Sequence, residues 1–140
     1  MIRNALVDTG PLIALIDQRD RYHAWAKARF GEIVPPLLTC ESVLSEACFL
    51  ARRLRAGVPA ILGLFEQGVC ALTFALASNF DLVSATIQQY ADVPMSLADA
   101  CLVRMSEIVA NCVVLTLDSD FRIYRRHKRQ RIPLLMPSDI

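Results

Sequence analysis

The chain has no apolar run long enough to cross a bilayer. A span needs roughly 18 uncharged apolar residues, and the longest stretch here, around Val69 to Ala77, is about half that. The N-terminus does not read as a signal peptide either, because Asp8 falls in the middle of what would be its apolar core. The cytoplasm is therefore the expected location. Cysteine is present without a pattern: Cys40, Cys48, Cys70, Cys101 and Cys112 are odd in number, have no C-x-x-C spacing and sit among apolar neighbours. That argues against a disulfide framework and a thiolate metal site and favours reduced structural thiols. Histidine is scarce. His23 lies beside Tyr22 and two residues before Trp25, His127 lies in a basic run, and neither has the acidic or nucleophilic neighbour of a catalytic base. There is no internal repeat, no linker and no low-complexity segment, so residues 1–140 are expected to fold as a single domain.

What is present is an apolar chain with unevenly placed charge. Hydrophobic residues make up 54% and charged residues 21%, and the mean hydropathy is +0.38. Such a chain has more apolar surface than a monomer hides, which points to a homo-oligomer or to a hydrophobic partner. The net charge is only +1, yet Arg122, Arg125, Arg126, Lys128, Arg129 and Arg131 place six of the fifteen Lys and Arg residues within ten positions. This run could contact phosphates or could be a solvated surface segment, and charge alone does not choose.

The pattern along the chain is strand, then helix, repeatedly. Ala5-Leu6-Val7 reads as a strand, Asp8-Thr9-Gly10-Pro11 as a turn, and Leu12, Ile13, Leu15 and Ile16 as the start of a helix. A second helix covers Asp20 to Phe30, with Gly31 as its stop. Pro35-Pro36 precedes a short strand, Leu37 to Thr39. A long helix then runs from Glu41 to Ala56, ended by Gly57, and Val58-Pro59 opens another to about Gln67. Val69 to Phe74 reads as a strand, and Phe80 to Ala91 and Ser96 to Ala110 as helices. Val113 to Leu117 is the clearest strand, and a last one covers Ile132 to Leu135. Apolar strands alternating with helices predict a three-layer α/β/α sandwich on a mainly parallel sheet.

Four carboxylates interrupt apolar stretches where buried elements begin or end. Asp8 and Asp118 each follow an apolar strand, and in an open α/β sheet the functional crevice lies beyond the carboxyl ends of the strands. Glu46 is the only charge in the nine residues Val43 to Ala51, and Asp99 stands three residues after Ser96 at the mouth of its helix. Four carboxylates brought to one edge would repel each other unless a cation lay between them. Oxygen-only ligands suit Mg²⁺ or Mn²⁺ rather than zinc. Each acid also has a purely structural explanation: Asp99 with Ser96 as a capping box, Asp8 as a turn residue, and Asp118-Ser119-Asp120 as a helix cap. Glu46 is the hardest to explain in that way.

The same residues carry a resemblance. Ala5-Leu6-Val7-Asp8-Thr9-Gly10-Pro11-Leu12, Val43-Leu44-Ser45-Glu46-Ala47, Ser96-Leu97-Ala98-Asp99-Ala100 and Leu115-Thr116-Leu117-Asp118-Ser119-Asp120-Phe121 resemble the successive acidic motifs of the PIN-domain nucleases, especially the VapC-type toxins. The resemblance covers nearly the whole chain, in order. It implies a PIN-like α/β/α fold, usually dimeric, and Mg²⁺- or Mn²⁺-dependent cleavage of RNA. It also implies, for toxin members, a protein antitoxin that binds near the site. Carried over residue by residue, it makes Asp8, Glu46, Asp99 and Asp118 the catalytic and metal-holding acids, with Asp120 an alternative in the last motif. Thr9 and Thr116 become hydroxyl supports behind them.

The mechanism expected from such a site is hydrolysis of an RNA phosphodiester by a metal-activated water, leaving a 5′-phosphate and a 3′-hydroxyl. The basic residues Arg122, Arg125, Arg126, Lys128 and Arg129, close after the last motif, would supply phosphate contacts. Other readings are a PIN-like RNA-processing nuclease that is not a toxin, a non-catalytic RNA- or protein-binding module, and, at lower weight, a phosphatase or flap-type DNA nuclease. Leu44, Leu50, Leu54, Ile61, Leu62, Leu64 and Phe65 could line a groove for an antitoxin helix or could simply be core.

Overall fold

Short runs of branched and apolar residues form the strands; the central one, Ala5–Val7, is buried throughout, and burial falls off towards the edge strands at Leu72 and at Leu134–Leu135. In the computed structural model, which describes residues 1–140, β1 (Ala5–Val7), β2 (Leu37–Thr39), β3 (Cys70–Leu72), β4 (Val113–Leu115) and β7 (Leu134–Leu135) make one five-stranded sheet. Its order is β3-β2-β1-β4-β7 and every pairing is parallel. The helices are α1 (Thr9–Ile16), α2 (His23–Glu32), α3 (Glu41–Ala51), α4 (Gly57–Glu66), α5 (Leu76–Gln89) and α6 (Leu97–Ile108).

The strand order explains the layers. From β1 the chain steps outward to β2 and β3 through α1 to α4, then returns past β1 to β4 through α5 and α6. Parallel crossovers are right-handed, so a reversal of direction puts the second set of helices on the opposite face. The packing agrees: α1 touches α2, α3 and α4, while α5 packs on α6 and α6 on β1 and β4. The result is the expected three-layer α/β/α sandwich. One apolar core runs through it, with Leu6, Leu12, Leu37, Val43, Leu102, Leu115, Phe121 and Tyr124 fully buried or nearly so.

Several boundaries differ from the sequence expectation. Gly31 does not stop α2, which continues through it to Glu32. The helix expected from Glu41 to Ala56 ends instead at Ala51, and a turn leads to Ala56 at φ 54°. Gly57 is not a stop but the first residue of α4. It sits so close to the end of α3 that an added Cβ would lie 2.1 Å from the Ala51 carbonyl oxygen. α5 begins at Leu76 rather than Phe80. The basic run, left without an element in the sequence reading, folds into an antiparallel ribbon of β5 (Arg125–Arg126) and β6 (Gln130–Arg131), turned by His127 and Lys128 at positive φ. No helix is long and apolar enough to cross a membrane, and all five cysteines are unpaired.

These positions generate a paired prediction. Gly57→Ala should destabilise the protein by about 2 kcal/mol or more, since the obstruction is backbone. Gly31→Ala, with nothing within 4 Å of its added Cβ, should be neutral or stabilising by about 0.5–1 kcal/mol. Denaturant unfolding of the two variants checks both.

Candidate active site

β1 and β4 are neighbours whose onward connections leave in opposite directions, which makes the crevice between them the switch point of the sheet. Val7 pairs with Leu115, and the Asp8 N–H donates to the Leu115 carbonyl at 3.0 Å. The ladder therefore sets Asp8 against Thr116 one position further on. The Thr116 hydroxyl donates to Asp8 Oδ2 at 2.7 Å, and the Thr9 N–H donates to Asp8 Oδ1 at 2.8 Å. Thr116 in turn accepts the Asp118 N–H at 3.0 Å, so one hydroxyl positions both strand-end acids.

The other acids arrive from helices. Asp99 lies in the first turn of α6, where Ser96 and Asp99 form the reciprocal capping box that the spacing suggested. The Ser96 hydroxyl accepts the Asp99 N–H at 3.0 Å, and Asp99 Oδ2 accepts both the Ser96 N–H, at 3.4 Å, and the Tyr124 hydroxyl, at 3.1 Å. Its Oδ1 receives no protein donor and stays available. Glu46, in the middle of α3, is exposed and has no hydrogen-bond partner of its own. The capping explanation of Asp99 is thus correct and incomplete, because the capping residue also faces the cleft.

Asp8, Glu46, Asp99 and Asp118 line one cleft of about 430 Å³, together with Thr9, Gly10, Leu50, Leu117 and Ser119. Asp120 is not among the lining residues. Its N–H donates to Asp118 Oδ1 at 2.9 Å, which fixes Asp118 at the head of the 3-10 turn Ser119–Arg122. Gly10 lies close to the opposite wall: a Cβ there would stand 3.2 Å from the Leu117 side chain, which would have to give by a few tenths of an ångström.

The cleft is negatively charged and uncompensated. The ion pairs of the structure are Arg21–Asp139, Arg29–Glu32 and Arg104–Glu107, and none reaches a cleft acid. Burial pushes Asp8 up from 3.8 to about 7; the bonds from Thr116 and Thr9 pull the other way, and the charges of Asp99 and Glu46 add to the rise. Glu46 is raised by desolvation and by Asp99 and Asp118. Asp99 is raised by desolvation and by Asp118, against the bonds from Tyr124 and Ser96. Like charges crowded in a partly dry cleft make each other harder to ionise.

Two features fit a hard divalent cation. The donor set is all oxygen, and the Thr9 hydroxyl is buried at the cleft without any hydrogen-bond partner. The four acids line the cleft without closing together: no group of three or more His, Cys, Asp or Glu side chains is gathered tightly enough to hold a metal ion as the side chains stand.

Tyr124 was missed in the sequence. Its ring is fully buried, packed edge-on against Phe121 and Tyr90 with centroids 5.2 and 5.1 Å away, and its hydroxyl holds Asp99. Only the aromatic residue just after the last acidic motif could have hinted at it. The basic run divides. Arg122, Lys128 and Arg129 are exposed, whereas Arg125 donates to the carbonyls of Arg122, Ile123 and Tyr124, and Arg126 to that of Ser106. None of the run lines the acidic cleft. His23 is half-buried and hydrogen-bonds the Ala14 carbonyl through Nδ1 at 2.8 Å, docking α2 on α1. Of the apolar residues considered for a groove, Ile61 is core, Leu44, Leu54, Leu64 and Phe65 are half-buried, and Leu50 and Leu62 are exposed.

The PIN domain family matches residues 5–126. Among solved structures, the crystal structure of Mycobacterium tuberculosis VapC20, a sarcin-ricin loop cleaving toxin, is similar at a TM-score of 0.72 and 21% identity, covering 84% of this chain and 92% of that one. No curated protein sequence matches the chain.

The buried carboxylate yields a stability prediction. Between pH 3.8 and about 7 the folded state holds a proton on Asp8 that the unfolded chain releases, so this group's contribution to stability falls as pH rises through that window. Asp8→Asn keeps both hydrogen bonds, because the Thr116 hydroxyl can accept as well as donate. Without divalent ions the variant should be more stable than wild type above pH 7, by at most about 4 kcal/mol. The advantage should vanish towards acid. Urea unfolding across that range checks it, and an Asn variant less stable at neutral pH would contradict it.

Proposed function

The chain belongs to the PIN domain family, and on that premise we propose that it is a Mg²⁺- or Mn²⁺-dependent endoribonuclease, the toxin of a toxin–antitoxin pair. The observation that carries the proposal is the convergence of Asp8, Glu46, Asp99 and Asp118, from four separate elements, on one cleft with no protein cation in it. Structural caps would each sit at their own helix end. They have no reason to share a pocket.

On this reading Asp8, Asp99 and Asp118, with Glu46 directly or through water, hold one or two metal ions, and Thr9 offers its free hydroxyl beside them. When bound, the metal supplies charge neutralisation at the scissile phosphate and activation of a water. The chain's own residues set the geometry. Thr116 and the Thr9 N–H clamp both oxygens of Asp8, the Ser96 cap and Tyr124 clamp one oxygen of Asp99 and leave the other free, and the Asp120 N–H clamps Asp118. Carboxylates fixed in this way lose little freedom when a cation and a phosphate enter. Leu50 and Leu117 form the apolar part of the wall.

The similarity to VapC20 makes a structured ribosomal RNA loop the first substrate to test, since VapC20 is described as a sarcin-ricin loop cleaving toxin. The toxin reading also carries a homodimer, a protein antitoxin and a cytoplasmic location. The exposed Leu50, Leu62, Phe80 and Leu82 supply apolar surface for such partners.

Purified protein, freed of any bound antitoxin, should cut a sarcin-ricin loop hairpin or an unstructured RNA in Mg²⁺ or Mn²⁺, and not in EDTA. Asp8→Asn should abolish the cut. Tyr124→Phe should lower kcat about tenfold and be partly rescued by more Mn²⁺, since it acts through Asp99. Cleavage that persists in EDTA or in Asp8→Asn would refute the site.

A further inference from the structure

Glu46 is a wall shared by two pockets. On its other side lies a second pocket of about 460 Å³, lined by Ser42, Ser45 and Phe49 of α3 and by Ser96 and Leu97 at the start of α6. Ser42, Ser45, Glu46 and Phe49 recur at helical spacing, so one face of α3 presents them together. Phe49 is 58% exposed, as Phe80 on α5 is at 59%, whereas Phe74, Phe121 and Tyr124 are buried. The Arg52 guanidinium lies 3.9 Å from the centre of that ring and covers one of its faces. Arg52, Arg53 and Arg55 follow at the end of the helix, all exposed, and none takes part in an ion pair.

A braced aromatic ring, three hydroxyls that can donate or accept, and a carboxylate that can accept from an amino group are the groups that recognise a planar base with polar edges. Free arginines beside them suit the phosphates of the chain that carries the base. Taking the acidic cleft as the nuclease centre proposed above, we propose that this second pocket is a base-binding subsite. It holds the unpaired nucleobase next to the scissile phosphate, with Phe49 stacking on it and Ser42, Ser45 and Ser96 along its edge. Arg52, Arg53 and Arg55 then carry the RNA backbone onward. The subsite accepts only a base splayed out of a helix, so it selects single strands and loops over duplex. The apolar part of the lining, Phe49, Leu97 and Ala98, suits the flat face of a base, and Ser42, Ser45, Glu46 and Ser96 suit its polar edge.

The test is binding of a short single-stranded RNA, the same sequence as a duplex, and an abasic single strand, to full-length protein carrying Asp8→Asn so that no cleavage intervenes. Phe49→Ala should weaken single-strand binding about tenfold, and Phe49→Trp should restore it. Wild-type Phe49 should lose a similar factor on the abasic strand, and Phe49→Ala no further factor. Ser45→Ala, at an exposed position, should lose less and change the preference among bases. Unchanged melting temperatures would show the fold intact. Single-strand affinity indifferent to Phe49, or an equal loss for duplex, would overturn the subsite; so would loss of a protein partner with RNA affinity intact. Failure is separable from that of the nuclease reading: a wild type that cuts RNA with KM indifferent to Phe49→Ala sinks only the subsite. A wild type that cuts nothing while Phe49 still governs single-strand binding sinks only the nuclease.

Discussion

The hydrogen bond from Thr116 to Asp8, 2.7 Å long and almost fully buried, is the contact on which the rest of the structure depends. It exists because β1 and β4 pair in parallel with Val7 opposite Leu115, so the next residue on each strand meets across the ladder. That pairing fixes where the sheet's connections diverge, and the divergence opens the crevice. Shift the register by one residue and Asp8 points into the opposite layer, away from Asp99 and Glu46.

Around this contact each acid is held by something that already had a structural task. Asp99 caps α6, and Tyr124, a core residue, donates to the same Oδ2 that accepts the Ser96 N–H. Asp118 heads the 3-10 turn whose Phe121 packs against Tyr124. The core and the cleft are therefore one network, in which apolar packing sets the aim of polar groups. The arrangement works against the stability of the metal-free chain. Asp8 is desolvated with only neutral donors, and the Thr9 hydroxyl is buried with no partner at all. Local conflict of this kind is what a site built for something absent from the chain looks like.

The layers and the positions of Asp8 and Asp118 were legible because strands buried on both faces read as short apolar runs, and their last residues lie at one edge by construction. Glu46 was legible as a lone charge on an apolar helix. What escaped depended on contacts distant in sequence. Nothing near Tyr124 announces that its hydroxyl will meet Asp99, 25 residues earlier. The basic run read equally as a phosphate contact or a solvated segment; in the fold it divides, Arg125 and Arg126 bonding backbone carbonyls, and none of it lines the acidic cleft. Helix ends misled for a local reason: Gly57 resembles a stop signal, but its lack of a side chain is required by the Ala51 carbonyl at the approach of α4 to α3. Gly31 resembles one too and lies inside α2. The exposed Phe49 beside Glu46 carries no motif and became visible only once α6 was placed against α3.

A divalent-metal site made by Asp8, Glu46, Asp99 and Asp118 must bind Mn²⁺. Electron paramagnetic resonance of Mn²⁺ titrated into the purified protein tests it directly, without a substrate. Wild type should show one or two saturable sites competed by Mg²⁺, Asp8→Asn and Asp99→Asn should lose them, and Asp120→Asn should retain them. Saturable Mn²⁺ binding that survives in both Asp8→Asn and Asp99→Asn, or no binding by folded wild type, would contradict it.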